Sequence, residues 1–245
     1  MSKYTSEELT QLLEVAVSAA KTAGEYITSN RPKEFSSKAH QNDIVTEMDV
    51  KAEQLIFSIL ESTKIPFLGE ESATKVDLSN TWVVDPIDGT LNFLTNSPLV
   101  GVNIALFKNN EPLLAVTYLP FLKELYTSIR GKGVYFNEKK LPKLKMKGEQ
   151  HLPVFLDHAD IMNSHGYPVR SLGAASVEMA WVARGLAGGV SYAKIKPWDV
   201  APGILFIQEL SGVVVPRFLD KSIFLDSIIA GNITVVNTLS KQSSH

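Results

Sequence analysis

The chain has 245 residues, 44% of them apolar and 20% charged, enough for one large domain or two small units sharing a core. A net charge of −2 gives no electrostatic reason to bind nucleic acid or an anionic membrane, and no basic stripe or nucleic-acid-reading motif is present. The absence of cysteine excludes disulfides, thiolate metal sites and cysteine nucleophiles, and fits a reducing compartment.

The N-terminal MSKYTSEELTQ is polar and has no apolar h-region, so no signal peptide is expected, and no apolar run reaches the roughly 18 residues of a membrane helix. A cytoplasmic protein is therefore expected. Thr5 and Glu8 have capping-box spacing, and Leu9, Leu12, Leu13, Ala16, Ala20, Ala23 and Ile27 follow at helical intervals, predicting a helix over 6–28. The polar stretch RPKEFSSKAHQND reads as a loop. A second helix starting near Thr46 turns Ala52, Leu55, Ile56, Ile59 and Leu60 inward and places Asp49 in its first turn, where the helix dipole favours a carboxylate.

PFLGEES (66–72) and TWVVD (81–85) read as strands that end in acids. Strand candidates follow at 100–107, 113–118, 124–129 and 133–136, separated in part by KNNE and RGKG, so this stretch predicts antiparallel hairpins. Residues 139–150 read as a polar connector. The last third predicts strands at 154–159, 191–195, 213–218 and 228–232. It also predicts helices at 174–184, 198–210 and 233–240, with Gly185 stopping the first and Pro202 in the first turn of the second. The chain divides into an α+β part over 1–148 and a smaller α/β part over 149–245, in one continuous globular unit.

The chemistry gathers at WVVDPIDGTLNF (82–93). Two carboxylates three residues apart after an apolar strand repel each other and resist desolvation, which a divalent cation offsets. Glu70, Asp85, Asp88 and Asp199 all follow apolar runs, and hard oxygen ligands of this kind suit Mg²⁺. The turn at Pro86 and Ile87 aims the Ile87 carbonyl where a ligand is wanted. Gly89 and Thr90 open a helix whose free amides fit a phosphate. Without a nucleophilic side chain in a recognisable setting, water is the expected nucleophile, with Glu70, Thr90 and Asp49 the candidates to orient and deprotonate it. Singly, these stretches also have plain structural readings. DPIDG fits an Asp-Pro turn with a helix cap, TEMD a capping box, and Trp198-Asp199 a core tryptophan before an N-cap. It is their combination that points to metal-assisted hydrolysis of a phosphate ester.

Taken together, DIVTEMD (43–49), FLGEES, WVVDPIDGTLNF, RSLGAASVEMAWVARG (170–185), KPWDVAPGILFIQELSGVV and IIAGN resemble, in order, the motifs of the inositol monophosphatase family of Mg²⁺-dependent, lithium-sensitive phosphatases. The resemblance runs from about residue 6 to 240. It implies a layered αβαβα sandwich, usually a homodimer, with two to three Mg²⁺ per site. Glu70, Asp85 and the Ile87 carbonyl would hold the first metal, and Asp85, Asp88 and Asp199 the second. Glu70 would also face a loosely held third. Thr90 and Asp49 would activate the water. The substrate side would comprise Asp88, Gly89, Thr90, Gly173, Ala175, Tyr192 and Asp199. Lys38 is either a lid residue reaching the metals or a solvated loop lysine, and His158 and Arg170 are either pocket or surface groups.

Four departures bear on the alcohol pocket rather than on the metals. Tyr192 stands where inositol-specific members often carry a Glu, Ser211-Gly212 replaces a glycine pair, Pro202 replaces a small residue, and the segment over 148–170 is short. The expected substrate is a small polyol or sugar monophosphate, inositol monophosphate first. Histidinol phosphate, fructose 1,6-bisphosphate and 3′-phosphoadenosine 5′-phosphate stay open, because an aromatic residue stacks on a purine or imidazole. A phosphatase-like regulator without catalysis is the reading from another class.

Overall fold

A computed structural model describes residues 4–31, 47–72, 77–144, 152–157, 166–218 and 225–241. The first helix, α1 (Ser6–Ser29), starts at the expected capping box: the Glu8 amide donates to Thr5 Oγ1 at 3.2 Å, and the Thr5 amide to Glu8 Oε2 at 2.6 Å. Its buried face is built from small residues, among them Ala16, Ala19, Ala20 and Ala23. This lets α1 lie close on the sheet beneath, and a Cβ at Gly24 would come within 2.6 Å of the Tyr118 ring. The next helix, α2 (Glu47–Leu60), packs beside α1 and carries Asp49 in its first turn.

Seven strands form the first sheet: β1 (Phe67–Gly69), β2 (Asn80–Asp88), β3 (Gly101–Lys108), β4 (Glu111–Leu119), β5 (Glu124–Ile129), β6 (Gly133–Phe136) and β7 (Lys139–Lys140), in sequential order. β1 and β2 are parallel, and every later pair is antiparallel. A five-residue helix, α3 (Thr90–Leu94), interrupts the run between β2 and β3. The second sheet has the order β11-β12-β10-β8-β9, from β8 (Val154–Leu156), β9 (Val169–Arg170), β10 (Gly189–Ala193), β11 (Val213–Phe218) and β12 (Leu225–Gly231). Two helices lie between the sheets, α4 (Ala175–Ala183) and α5 (Pro197–Glu209), and α6 (Ile233–Ser240) covers the outer face of the second sheet. The layers therefore run α1/α2, sheet, α4/α5, sheet, α6, which is the expected αβαβα sandwich.

A helix between two sheets must be apolar nearly all round. In α4 every residue but Trp181 is buried. The core crosses the layers: Tyr126, Val134, Val177, Phe206 and Leu210 share one cluster, and Val83, Phe107, Trp198 and Ala201 share another.

Three expectations are corrected. β2 does not end at Asp85 but runs through Pro86 and Ile87 to Asp88, with a register irregularity against β3 absorbing the proline. The stretch starting at residue 139 is not wholly a connector, because Lys139 and Lys140 add a short edge strand to β6. Pro202 lies in the second turn of α5, not the first. A proline there deprives the carbonyl four residues earlier, that of Trp198, of its helical donor. Asn103 Nδ2, from β3, supplies one at 3.4 Å and donates to the Asp199 carbonyl at 3.1 Å.

Candidate active site

Strand pairing assembles the acids. β1 runs parallel to β2 with Gly69 beside Val84, so the next residue on each, Glu70 and Asp85, lie side by side, and the Glu70 amide donates to the Val84 carbonyl at 3.1 Å. Residues three apart on a pleated strand face opposite sides. The irregularity between Asp85 and Asp88 offsets this, and each carboxylate lies in the field of the other acids. Asp85 Oδ1 accepts from the Ile87 amide at 3.0 Å, shaping the turn. Asp199 is the third residue of α5, where its Oδ2 accepts from the Lys196 amide at 3.1 Å.

One carboxylate oxygen from each of Glu70, Asp85 and Asp199 lies within 4.8 Å of the others. Two oxygens on opposite sides of one Mg²⁺ are about 4.2 Å apart, so this donor set needs only a small contraction to fit a hard divalent cation. The electrostatics agree. Burial, then Glu70, Asp88 and Asp199, push the Asp85 carboxyl well above the usual range. Asp199 is raised by burial, Asp88 and Glu70, and Glu70 by burial with Asp88 and Asp49. The cluster also reaches Glu71, which burial and then Asp49, Glu70 and Glu53 push up to about 7. Carboxylates gathered this way hold protons or a metal.

Asp88 stands apart from the trio. Its Oδ2 accepts from the Ser176 amide at 2.6 Å and from the Ser176 hydroxyl at the start of α4, and the Ala175 and Gly89 amides add further donors. Burial pushes it up to about 6 against those donors. The structure brings Thr90 and Asp49 together: Thr90 Oγ1 is 3.4 Å from Asp49 Oδ1 and 3.1 Å from the Ile87 carbonyl.

Gly89 has φ +86°, and a Cβ there would sit 2.9 Å from Ala174 Cβ and 3.0 Å from the Leu99 carbonyl. Only glycine combines that backbone with so close an approach of the 173–174 segment. α3 is fixed from behind by Arg31, whose guanidinium donates to the carbonyls of Phe93 and Asn92 at 2.9 Å and Ser97 at 2.6 Å and lies over the Phe121 ring. Asn92 Nδ2 donates to the Leu172 carbonyl at 2.7 Å, tying α3 to the segment before α4.

Gly173 adopts φ +73° and Ala175 opens α4. Tyr192 is buried on β10 in the cluster of Met179 and Val190, with its hydroxyl donating to Glu178 Oε2 at 2.5 Å. Arg170 is exposed on the edge strand β9. Lys38, the 43–46 part of DIVTEMD and His158 lie outside the described residues.

Sequence reasoning missed Asn103, Thr117, Ser176, Glu178, Asn92 and Arg31. Thr117 Oγ1 donates to Asn103 Oδ1 at 2.7 Å, which leaves the Asn103 amide group to hold the start of α5. The available signal was polarity inside apolar strands: Asn103 interrupts GVNIALF and Thr117 interrupts LLAVTYL.

The comparisons with known proteins converge on this architecture. An inositol-1-monophosphatase of Caulobacter vibrioides is 36% identical over 200 residues, covering 73% of this chain and 77% of the relative. The protein named Nus factor SuhB of Xylella fastidiosa is 32% identical over 251 residues, covering 92% and 91%. The solved inositol monophosphatase of Anabaena superposes with a TM-score of 0.82 at 26% identity, over 95% of each chain. The family model for inositol monophosphatases matches residues 8–242, and the chain belongs to the inositol monophosphatase family.

Proposed function

We propose that the protein is a Mg²⁺-dependent phosphomonoesterase that hydrolyses the monophosphate of a small polyol or sugar, with inositol monophosphate as its first substrate. The observation that carries this reading is the convergence of Glu70, Asp85 and Asp199 beside the Asp49–Thr90 pair. When bound, Mg²⁺ supplies Lewis acidity toward phosphoryl oxygens and acidifies water. Glu70, Asp85 and Asp199 would hold the cation, and the Ile87 carbonyl and Asp88 would complete the donors for the two to three ions expected in use. Glu70 and the Thr90 hydroxyl orient the attacking water, and Asp49 takes its proton through Thr90. The new O–P bond forms as the P–O bond to the alcohol breaks; the departing alkoxide takes a proton from solvent, and Asp49 returns to solvent the one it accepted. The Thr90 amide receives a phosphate oxygen, the Gly89 amide being engaged by Asp88, and the 173–175 segment and Tyr192 border the alcohol.

Among the described residues no helix is long and apolar enough to cross a membrane. A cytoplasmic homodimer acting on a phosphorylated metabolite, with no nucleic acid or membrane as partner, completes the reading.

A relative named as a Nus factor gives a second reading, a phosphatase-like regulator. The intact acidic set favours catalysis, because a regulator has no use for several buried carboxylates that raise one another's pKa. The deciding experiment is phosphate release from inositol 1-phosphate, histidinol phosphate, fructose 1,6-bisphosphate and 3′-phosphoadenosine 5′-phosphate, with and without Mg²⁺. Mg²⁺-dependent release with one clear preference is expected. No release from any of the four by folded protein that still binds Mg²⁺ overturns this substrate reading in favour of a phosphomonoester outside the panel or of the regulator.

A further inference from the structure

Glu178 is a buried carboxylate that the chemistry above does not use. It is 3% exposed on α4, between the sheets. Burying an acid there costs several kcal/mol unless donors compensate, and a helix with this apolar setting needs no acid to pack. Every donor to Glu178 comes from a segment bordering the site. The Leu172 amide donates to Oε1 at 2.5 Å, the Gly173 amide adds a second hydrogen bond, and the Tyr192 hydroxyl donates to Oε2 at 2.5 Å.

The two walls so joined are distinct. Leu172 and Gly173 precede α4 and lie against the Gly89 turn: a Cβ on Gly89 would meet the Gly173 carbonyl at 3.4 Å, and Asn92 of α3 holds the Leu172 carbonyl. Tyr192 is on β10, within the electrostatic reach of Asp88 and Asp199. A single side chain thus sets the phosphate side of the site and the side away from it.

We propose that Glu178 is a positioning residue that fixes the 172–174 segment over the Gly89 turn with one oxygen and Tyr192 with the other, and so sets affinity for the phosphomonoester of a polyhydroxylated alcohol. The proposal rests on the phosphatase reading above. Gln at this position keeps one oxygen for the two amides and an NH₂ that donates to the Tyr192 oxygen, so the conservative variant preserves both arms, whereas Ala removes both.

The test pairs hydrogen exchange with kinetics. In Glu178→Ala, exchange at the Leu172 and Gly173 amides accelerates at least tenfold. KM for inositol 1-phosphate rises about tenfold while kcat changes less than threefold, the pattern of lost binding common to ground and transition states. Glu178→Gln returns both readouts to within threefold of wild type. Should Glu178→Ala not fold, Tyr192→Phe decides: the ratio of KM for inositol 1-phosphate to KM for phenyl phosphate rises about fivefold. Unchanged amide exchange in Glu178→Ala overturns the proposal, as does faster exchange with an unchanged KM, or an unchanged KM ratio in Tyr192→Phe. Exchange needs no turnover, so failure of the strut is distinguishable from failure of the phosphatase reading.

Discussion

Asp85→Asn separates what the acidic cluster does for binding from what it does to stability. Asp85 is 1% exposed, and its carboxylate faces those of Glu70 and Asp199 within 4.8 Å. At an effective dielectric of ~20, each fully charged pair at that distance repels by about 3.5 kcal/mol. The metal-free protein reduces this by retaining protons, so the net relief from neutralising Asp85 is about 2–3 kcal/mol. Asparagine keeps an oxygen for the Ile87 amide, so the turn survives. For a chain of this size, about 2–4 °C accompanies each kcal/mol. Metal-free Asp85→Asn therefore melts roughly 5–10 °C above metal-free wild type, is stabilised little by Mg²⁺, and turns over at least ~10³-fold more slowly. Differential scanning fluorimetry in chelator and in 10 mM Mg²⁺, beside phosphate release, measures all three. A metal-free variant that melts below wild type, or equal Mg²⁺ stabilisation of both, refutes the account.

Burial and mutual repulsion raise the folded pKa of Glu70, Asp85 and Asp199. Above the unfolded carboxylate value of about 4, the folded metal-free protein binds more protons than the unfolded chain, so its stability falls as pH rises toward the folded values. Mg²⁺ must displace those protons, so its stabilisation is larger at pH 8 than at pH 5.5; the reverse order in melting scans contradicts the reading. Gly89→Ala forces a side chain into φ +86° against Ala174 and Leu99, costing about 1–3 kcal/mol and at least ~10-fold in kcat/KM, measured by urea unfolding and steady-state kinetics. Asn103→Ala leaves the Thr117 hydroxyl and the start of α5 without partners, lowers stability by about 2–3 kcal/mol and weakens Mg²⁺ binding by calorimetry, whereas Thr117→Val loses only ~1 kcal/mol.

Much of the site is written locally. Thr5 and Glu8 announce α1, the strand limits at 124–129 and 133–136 follow from alternation and turn residues, and each acid of the trio follows an apolar run. What was illegible depends on neighbours distant in sequence. Nothing near Pro202 says that β3 supplies the donor its helix lacks, and nothing near Glu178 says that its partners are Tyr192 and the 172–173 amides. A lone glutamate in the otherwise apolar run ASVEMAWVA gives no sign in sequence of what it will face. β7 and β9, two residues each, are too short for any periodicity to register. The course of β2 through Pro86 was missed because proline usually ends a central strand, and the irregularity that accommodates it is visible only in the pairing with β3.

The anchoring of Asp88 on Ser176, 88 residues later in the chain, has a consequence during synthesis. At 5–20 residues per second, roughly 4–18 s separate the emergence of the carboxylate from that of its amide partners. In that interval the first sheet has its acids but neither the cap from α4 nor Asp199 from α5. The N-terminal layers are thus translated with their site carboxylates unpartnered, and the candidate metal centre is a late product of folding, completed when the inner helices dock.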